Sequence, residues 1–189
     1  MKIVFASNNS GKIAEIKNIL PSSYTLLSLS DINFTDEIAE TGNTFQQNAW
    51  IKAETIWKFC KMPCIADDSG LCIETLNGKP GVYSARFAGE PSNANLNIDK
   101  VLHEMKGVQN RNAAFITCIC YYDGLNAHYF EGKIEGKITT EKKGENGFGY
   151  DPIFIPEGKN QTFAELKAEE KNKISHRKIA LHKWMEFIK

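Results

Sequence analysis

The chain has 189 residues, 42 % apolar and 24 % charged, the balance of a folded globular protein rather than a disordered one. Lys plus Arg and Asp plus Glu number 23 each, so the net charge is zero, which argues against a broad face for a nucleic acid polymer and points to a local basic pocket and a small anionic ligand. No run reaches the roughly 18 apolar residues of a membrane span, and "MKIVFASNN" turns polar too early for a secretory signal, so a cytoplasmic chain with no membrane partner is expected.

"KIVFA" (2–6) reads as a short buried strand, followed by a helix from about Gly11 to Leu20 with Ile13, Ile16 and Leu20 on one face, stopped by Pro21. "YTLLSL" (24–29) is a second strand. Residues 44–60 form an amphipathic helix with Phe45, Ala49, Ala53, Ile56 and Cys60 on one stripe and Thr44 as its cap. "CIADDSGLCIETL" (64–76) reads as strand, polar kink, strand, and "NGKPG" as a turn. Ile98, Val101, Leu102 and Met105 mark a further helix. "AAFITCICYY" (113–122) is a long strand that Asp123-Gly124 turns into "AHYFEGKIEGKI", a hairpin. "GENGFGYDPIFIP" is Gly-rich and irregular before a short strand. Thr162 and Glu165 stand at capping-box spacing, and Ser175 can cap a last helix striped by Leu181, Trp184, Met185 and Ile188. Alternating strands and helices predict an α/β fold, with the hairpin making the sheet mixed. The 5 cysteines are an odd count in mostly apolar surroundings, read as reduced, buried thiols; Cys60 and Cys64 lack the second pair that a zinc site needs.

Several polar islands interrupt this pattern. "SNNSGK" joins the first strand to the first helix. It lacks the first Gly and the final Ser or Thr of a Walker A loop, whose places hold Ala6 and Ile13. It is either an anion cradle, with helix N–H groups, Asn8, Asn9, Ser10 and the Lys12 cation, or a capped polar turn. "DEIAETGNTF" is most simply a solvated loop, in which Glu40 beside a turn glycine is the one metal candidate. "ADDSG" places two carboxylates after an apolar strand, where neighbours point to opposite sides, so Asp67 and Asp68 need not share a duty. One of them can bind Mg²⁺, or the segment can be an Asp-Ser-Gly turn. "GFGYDP" offers aromatics on a Gly-rich loop. "EEKNKISHRKIAL" puts Lys171, His176 and Arg177 near a helix start, where cations oppose the helix dipole; either an anionic or acceptor-rich ligand relieves them or the segment is an ordinary exposed basic turn.

Taken in order, "SNNSGK", "ETGNTFQQNAWIKA", "ADDSGL", "PGVYSARFAG", "GFGYDPIF" and "EEKNKISHR" resemble the inosine triphosphate pyrophosphatase family over nearly the whole chain. The resemblance implies one two-lobed domain over 1–189, with a long mixed β-sheet flanked by helices and a central cleft. It also implies a homodimer, Mg²⁺ dependence, and hydrolysis of deaminated purine nucleoside triphosphates (ITP, dITP, XTP) to monophosphate and pyrophosphate. Carried over by position, Ser7, Asn8, Asn9, Ser10, Gly11 and Lys12 would hold the triphosphate. Asp68 would be general base and metal ligand, and Ser69 a substrate contact. Phe148, Gly149, Tyr150 and Asp151 would bind the base with Lys171, His176 and Arg177. The family often carries a Glu pair before Thr-Gly where this chain has Ala39-Glu40, so either Glu40 takes the metal role or Mg²⁺ rests on Asp68 and phosphate alone. Two rivals stand beside this reading. A pyrophosphatase for modified pyrimidine nucleotides would carry a Ser-Pro-Arg-Arg type opening loop, and a non-hydrolysing nucleotide-binding module would release no pyrophosphate.

Overall fold

The computed structural model describes residues 1–189. In chain order the elements are β1 (Lys2–Phe5), α1 (Ser10–Ile19), β2 (Thr25–Leu27), α2 (Phe45–Cys60), β3 (Cys64–Ile73), α3 (Ala94–Glu104), β4 (Asn112–Tyr122), β5 (Ala127–Ile138), β6 (Phe154–Pro156), α4 (Ala168–Ile174) and α5 (His176–Phe187). The strands form a 6-stranded sheet in the order β2-β1-β3-β4-β5-β6. β1 runs parallel to β2 (Ile3 opposite Leu26) and to β3 (Val4 opposite Cys64), whereas β5 and β6 are antiparallel (Lys137 opposite Ile155), so the sheet is mixed, as the sequence predicts. Asp123 closes the short link from β4 to β5 by accepting the N–H groups of Leu125 and Asn126, both at 2.9 Å.

The chain divides into two compact units. The first comprises Met1–Asp68, Thr117–Gly132 and Arg177–Lys189; the second comprises Ser69–Ile116 and Lys133–His176. In the first unit the strands alternate their side chains between two cores. Val4, Ala6, Cys64, Ala66 and Cys120 meet Ala49, Ala53 and Ile56 of α2. Ile3, Phe5, Ile65 and Ile119 meet Ile16 of α1 and Ala180, Leu181 and Trp184 of α5. In the second unit Leu71, Ile73, Ala113, Phe115 and Phe154 pack with Ile98, Val101 and Met105 of the α3 region, together with Tyr150 and Phe163.

Two expectations are corrected. The "DDSG" stretch is no kink, for β3 continues through it from Cys64 to Ile73. Buried polar residues are tolerated in mid-strand when each finds a partner, and Asp67 and Asp68 both do. The Thr162–Glu165 pair does form its reciprocal bonds, yet no helix starts there. The N–H groups of Phe163 and Ala164 donate instead to Phe154 (3.0 Å) and Asp151 (3.2 Å), which fixes a turn, and α4 begins at Ala168. All 5 cysteines are free thiols; Cys64, Cys118 and Cys120 are buried, while Cys60 and Cys72 are half-buried. No helix is long and apolar enough to cross a membrane.

Candidate active site

The opening loop owes its shape to helix capping. Asn9 has extended backbone, and its side-chain oxygen accepts the Lys12 N–H at 3.0 Å, while the Ser7 hydroxyl accepts the Asn9 N–H at 3.2 Å. One of the two readings of this loop, a capped polar turn, is therefore literally present. It does not exclude the other, because the first-turn N–H groups of Ser10 and Gly11 have no acceptor within the chain and sit at the positive end of α1.

Lys12 turns its ammonium to Asp67, 3.1 Å from Oδ2. The same oxygen accepts from Arg177 Nε at 3.1 Å, and Arg177 Nη1 donates to Glu15 on α1. Burial alone would push the Asp67 carboxyl up, but the Lys12 and Arg177 cations overcome it and hold this acid well below the usual carboxylate range. Burial pulls the Lys12 ammonium below its ordinary value, partly offset by Asp67.

Asp68 faces the other side of β3 and meets α2. Its Oδ2 accepts from the Asn48 amide at 2.9 Å, and its Oδ1 lies 3.6 Å from Lys52 Nζ, which in turn donates to Glu40 at 2.5 Å. Asn48 also accepts the Gly42 N–H at 2.8 Å, tying the "ETGN" loop to the carboxylate. A Cβ on Gly42 would stand 2.7 Å from that Asn48 oxygen, so only glycine fits. Burial raises Asp68 above the ordinary carboxylate value, Lys52 pulls it down and Glu40 adds to the rise. The two adjacent acids thus differ in kind. Asp67 is a locked counter-ion, whereas burial gives the Asp68 carboxyl a higher affinity for a proton.

The second unit holds Ser69, Phe148, Gly149, Tyr150, Asp151, Lys171 and His176. Asp151 organises the glycine-rich loop: its Oδ2 accepts the Phe148 N–H at 2.8 Å and the Lys171 ammonium at 2.6 Å. That ammonium also lies 4.6 Å from the centre of the Phe148 ring, a cation–π contact. Gly147 has φ +77°, and a Cβ there would meet Asp151 Oδ2 at 2.1 Å. Tyr150 is buried and donates its hydroxyl to the Ser84 carbonyl at 2.8 Å, which commits its side chain to holding the loop in place. The His176 imidazole stacks on Phe115, with ring centres 5.0 Å apart and planes 10° from parallel.

A sequence model described as the Ham1 family matches residues 3–187. The chain belongs to the Ham1 family. Among its relatives, a dITP/XTP pyrophosphatase of Flavobacterium psychrophilum is 50 % identical over 189 residues, covering 100 % of each chain. One of the same name from Bacillus subtilis is 49 % identical, covering 98 % of this chain and 96 % of its own. The solved Ham1 protein of Staphylococcus aureus superposes with a TM-score of 0.90 at 41 % identity, covering 100 % of this chain and 98 % of that one. The resemblance read from the motifs and the α/β fold with a mixed sheet both hold.

In this Ham1 chain the donors around Asp68 suit a hard divalent cation. Glu40 and Asp68 approach one ammonium from two sides, so two carboxylates already gather at a point where positive charge is stabilised. All-oxygen donors completed by phosphate oxygens match what Mg²⁺ takes, and no thiol or imidazole intrudes.

Sequence reasoning missed Glu15, Asn48, Lys52 and the role of Asp67. Asn48 and Lys52 are one turn apart on α2, beside the Ala49–Ala53 stripe, and both are buried. Polar residues flush with an apolar stripe were the available signal. Glu15 gave none, since an acid beside helical apolar residues ordinarily faces water.

Proposed function

We propose that this protein is a Mg²⁺-dependent nucleoside triphosphate pyrophosphatase that clears ITP, dITP and XTP from the cytoplasmic nucleotide pool and works as a homodimer. The observation that carries this reading is Asp68: a buried carboxylate on a strand, held by Asn48 and Lys52 and raised above its ordinary range, in a chain about half identical along its whole length to proteins named dITP/XTP pyrophosphatase.

The residues divide the work by unit. In the first, Ser7 to Gly11 offer helix N–H groups and side-chain donors to phosphate oxygens, and Lys12 adds a cation. Asp68 accepts a proton from water as the water oxygen bonds to phosphorus. The bond between phosphorus and the oxygen bridging the α- and β-phosphates breaks, and pyrophosphate departs with that electron pair or the nucleoside monophosphate does. Mg²⁺, held by Asp68 and Glu40, would supply charge neutralisation on the phosphate oxygens. Lys52 keeps Asp68 ionised enough to act, against the rise that burial imposes.

In the second unit Phe148 offers a stacking face, held by Asp151 and Lys171. Ser69 is assigned as a substrate contact from its place after Asp68. Hypoxanthine and xanthine present an acceptor oxygen at the 6-position where adenine presents an amino donor. His176 is the donor assigned to that oxygen, while the guanidinium of Arg177, buried in the first unit, is turned to Asp67 and Glu15. A donor facing a donor in a desolvated pocket supports discrimination of roughly 10⁴-fold.

Product analysis tests the reaction class. ITP with Mg²⁺ should yield IMP and pyrophosphate in equal amounts; IDP with orthophosphate, or no turnover, would overturn the proposal.

A further inference from the structure

Four charged side chains in the first unit form a closed chain. Glu15 accepts from Arg177 Nη1, Arg177 Nε donates to Asp67 Oδ2 at 3.1 Å, and Lys12 Nζ lies 3.1 Å from that same oxygen. Lys12 and Glu15 are one turn apart on α1, so the chain leaves the helix at one residue and returns to it at the other. Glu15 is 6 % exposed, Arg177 1 % and Asp67 0 %. Two cations and two anions leave the cluster neutral.

A buried ion pair is weak evidence for stability, since well-packed apolar residues often serve as well. The arrangement makes sense instead as a device for sharing one oxygen. Arg177 and Lys12 both need Asp67 Oδ2, and a guanidinium is built to take a carboxylate with two N–H groups at once. Glu15 holds Nη1 while Nε meets Asp67, so the guanidinium is fixed from two sides beside the oxygen that Lys12 also meets. We propose that Glu15 is a positioning residue for the phosphate-binding loop, fixing through Arg177 and Asp67 where Lys12 presents its charge. This rests on the reading of Lys12 as a phosphate-binding cation. Without the Glu15 charge, Arg177 turns its fork onto Asp67, and Lys12 faces two like charges, Arg177 and Lys52, with less of its counter-ion. Its ammonium then leaves the position prepared for phosphate.

The test uses the full chain and two probes, ITP and inorganic tripolyphosphate, which has neither base nor sugar. Glu15→Gln should raise the KM for ITP and the inhibition constant of tripolyphosphate together, each about tenfold, as for loss of one hydrogen bond to a charged group, with kcat within twofold. In a Lys12→Met background Glu15→Gln should add nothing to either constant. A folded Glu15→Gln protein with both constants unchanged would reduce the pair to a structural one and overturn the inference. An equal rise in the Lys12→Met background would overturn it as well, since Glu15 would then act by another route. Lys12→Met leaving tripolyphosphate inhibition unchanged would instead remove the reading of Lys12 on which the inference stands. Should Glu15→Gln not fold, Glu15→Asp keeps the charge but withdraws it by one methylene, and the same rise in both constants is expected and decides the matter.

Discussion

Asp67 and Asp68 are neighbours in β3, yet one carboxylate accepts from Lys12 and Arg177 while the other accepts from Asn48 on α2. Strand alternation alone sends them to opposite faces. The partners then complete the division, holding Asp67 ionised far into acid and leaving Asp68 with a carboxyl that burial lifts.

Asp68→Asn should therefore remove turnover without unfolding the protein. Loss of a general base costs about 10²–10⁴ in rate. A carboxylate raised by burial is destabilising when ionised, so the neutral amide should melt no lower than the parent at pH 7. Steady-state kinetics beside a thermal melt check both halves; near-normal turnover would refute the assignment.

Asp67 carries the opposite sign. Its folded pKa lies below the ordinary 3.8, so the stability it contributes is fully present above that value and is lost as pH falls toward the folded one. Urea unfolding of the nucleotide- and metal-free protein should show stability declining from pH 5 to pH 3. Asp67→Asn, which leaves two buried cations short of an anion, should cost about 3–5 kcal/mol at pH 7 and flatten that decline.

Gly42→Ala should behave as an indirect lesion of Asp68. The added methyl group would press on the Asn48 oxygen and on Gln47 Cβ, 2.7 and 2.6 Å away, and displace the amide that donates to Asp68. The expected signature is a fall in kcat of about tenfold or more, the scale of losing one hydrogen bond to a charged group. Wild-type kcat would show that Asn48 does not matter to the base.

Much of this was legible in the chain itself. Ile3, Val4 and Phe5 mark β1, the Ala49–Ala53–Ile56 stripe marks α2, and Leu181 with Trp184 marks the buried side of α5. Local periodicity suffices for such elements. It cannot show that β3 runs unbroken through two acids, because the cation that makes Asp67 tolerable there, Arg177, lies 110 residues further on. Glu15 and Lys52 were illegible for a related reason: a charge on a helix ordinarily marks the solvent face, and only tertiary contacts turn these two inward.

Gly147→Ala should damage base recognition alone. The position has φ +77°, and a Cβ would collide with the Asp151 oxygen that anchors the Phe148 N–H and Lys171. A raised KM for ITP with unchanged inhibition by tripolyphosphate is expected. A parallel rise in both would place this loop on the phosphate instead.

The central claim is selectivity for a purine bearing an oxygen at the 6-position. The most direct measurement is kcat/KM for ITP, XTP and ATP, followed by pyrophosphate release in excess Mg²⁺. The account predicts ITP and XTP ahead of ATP by roughly 10²–10⁴-fold. Equal values for the three nucleotides would contradict it.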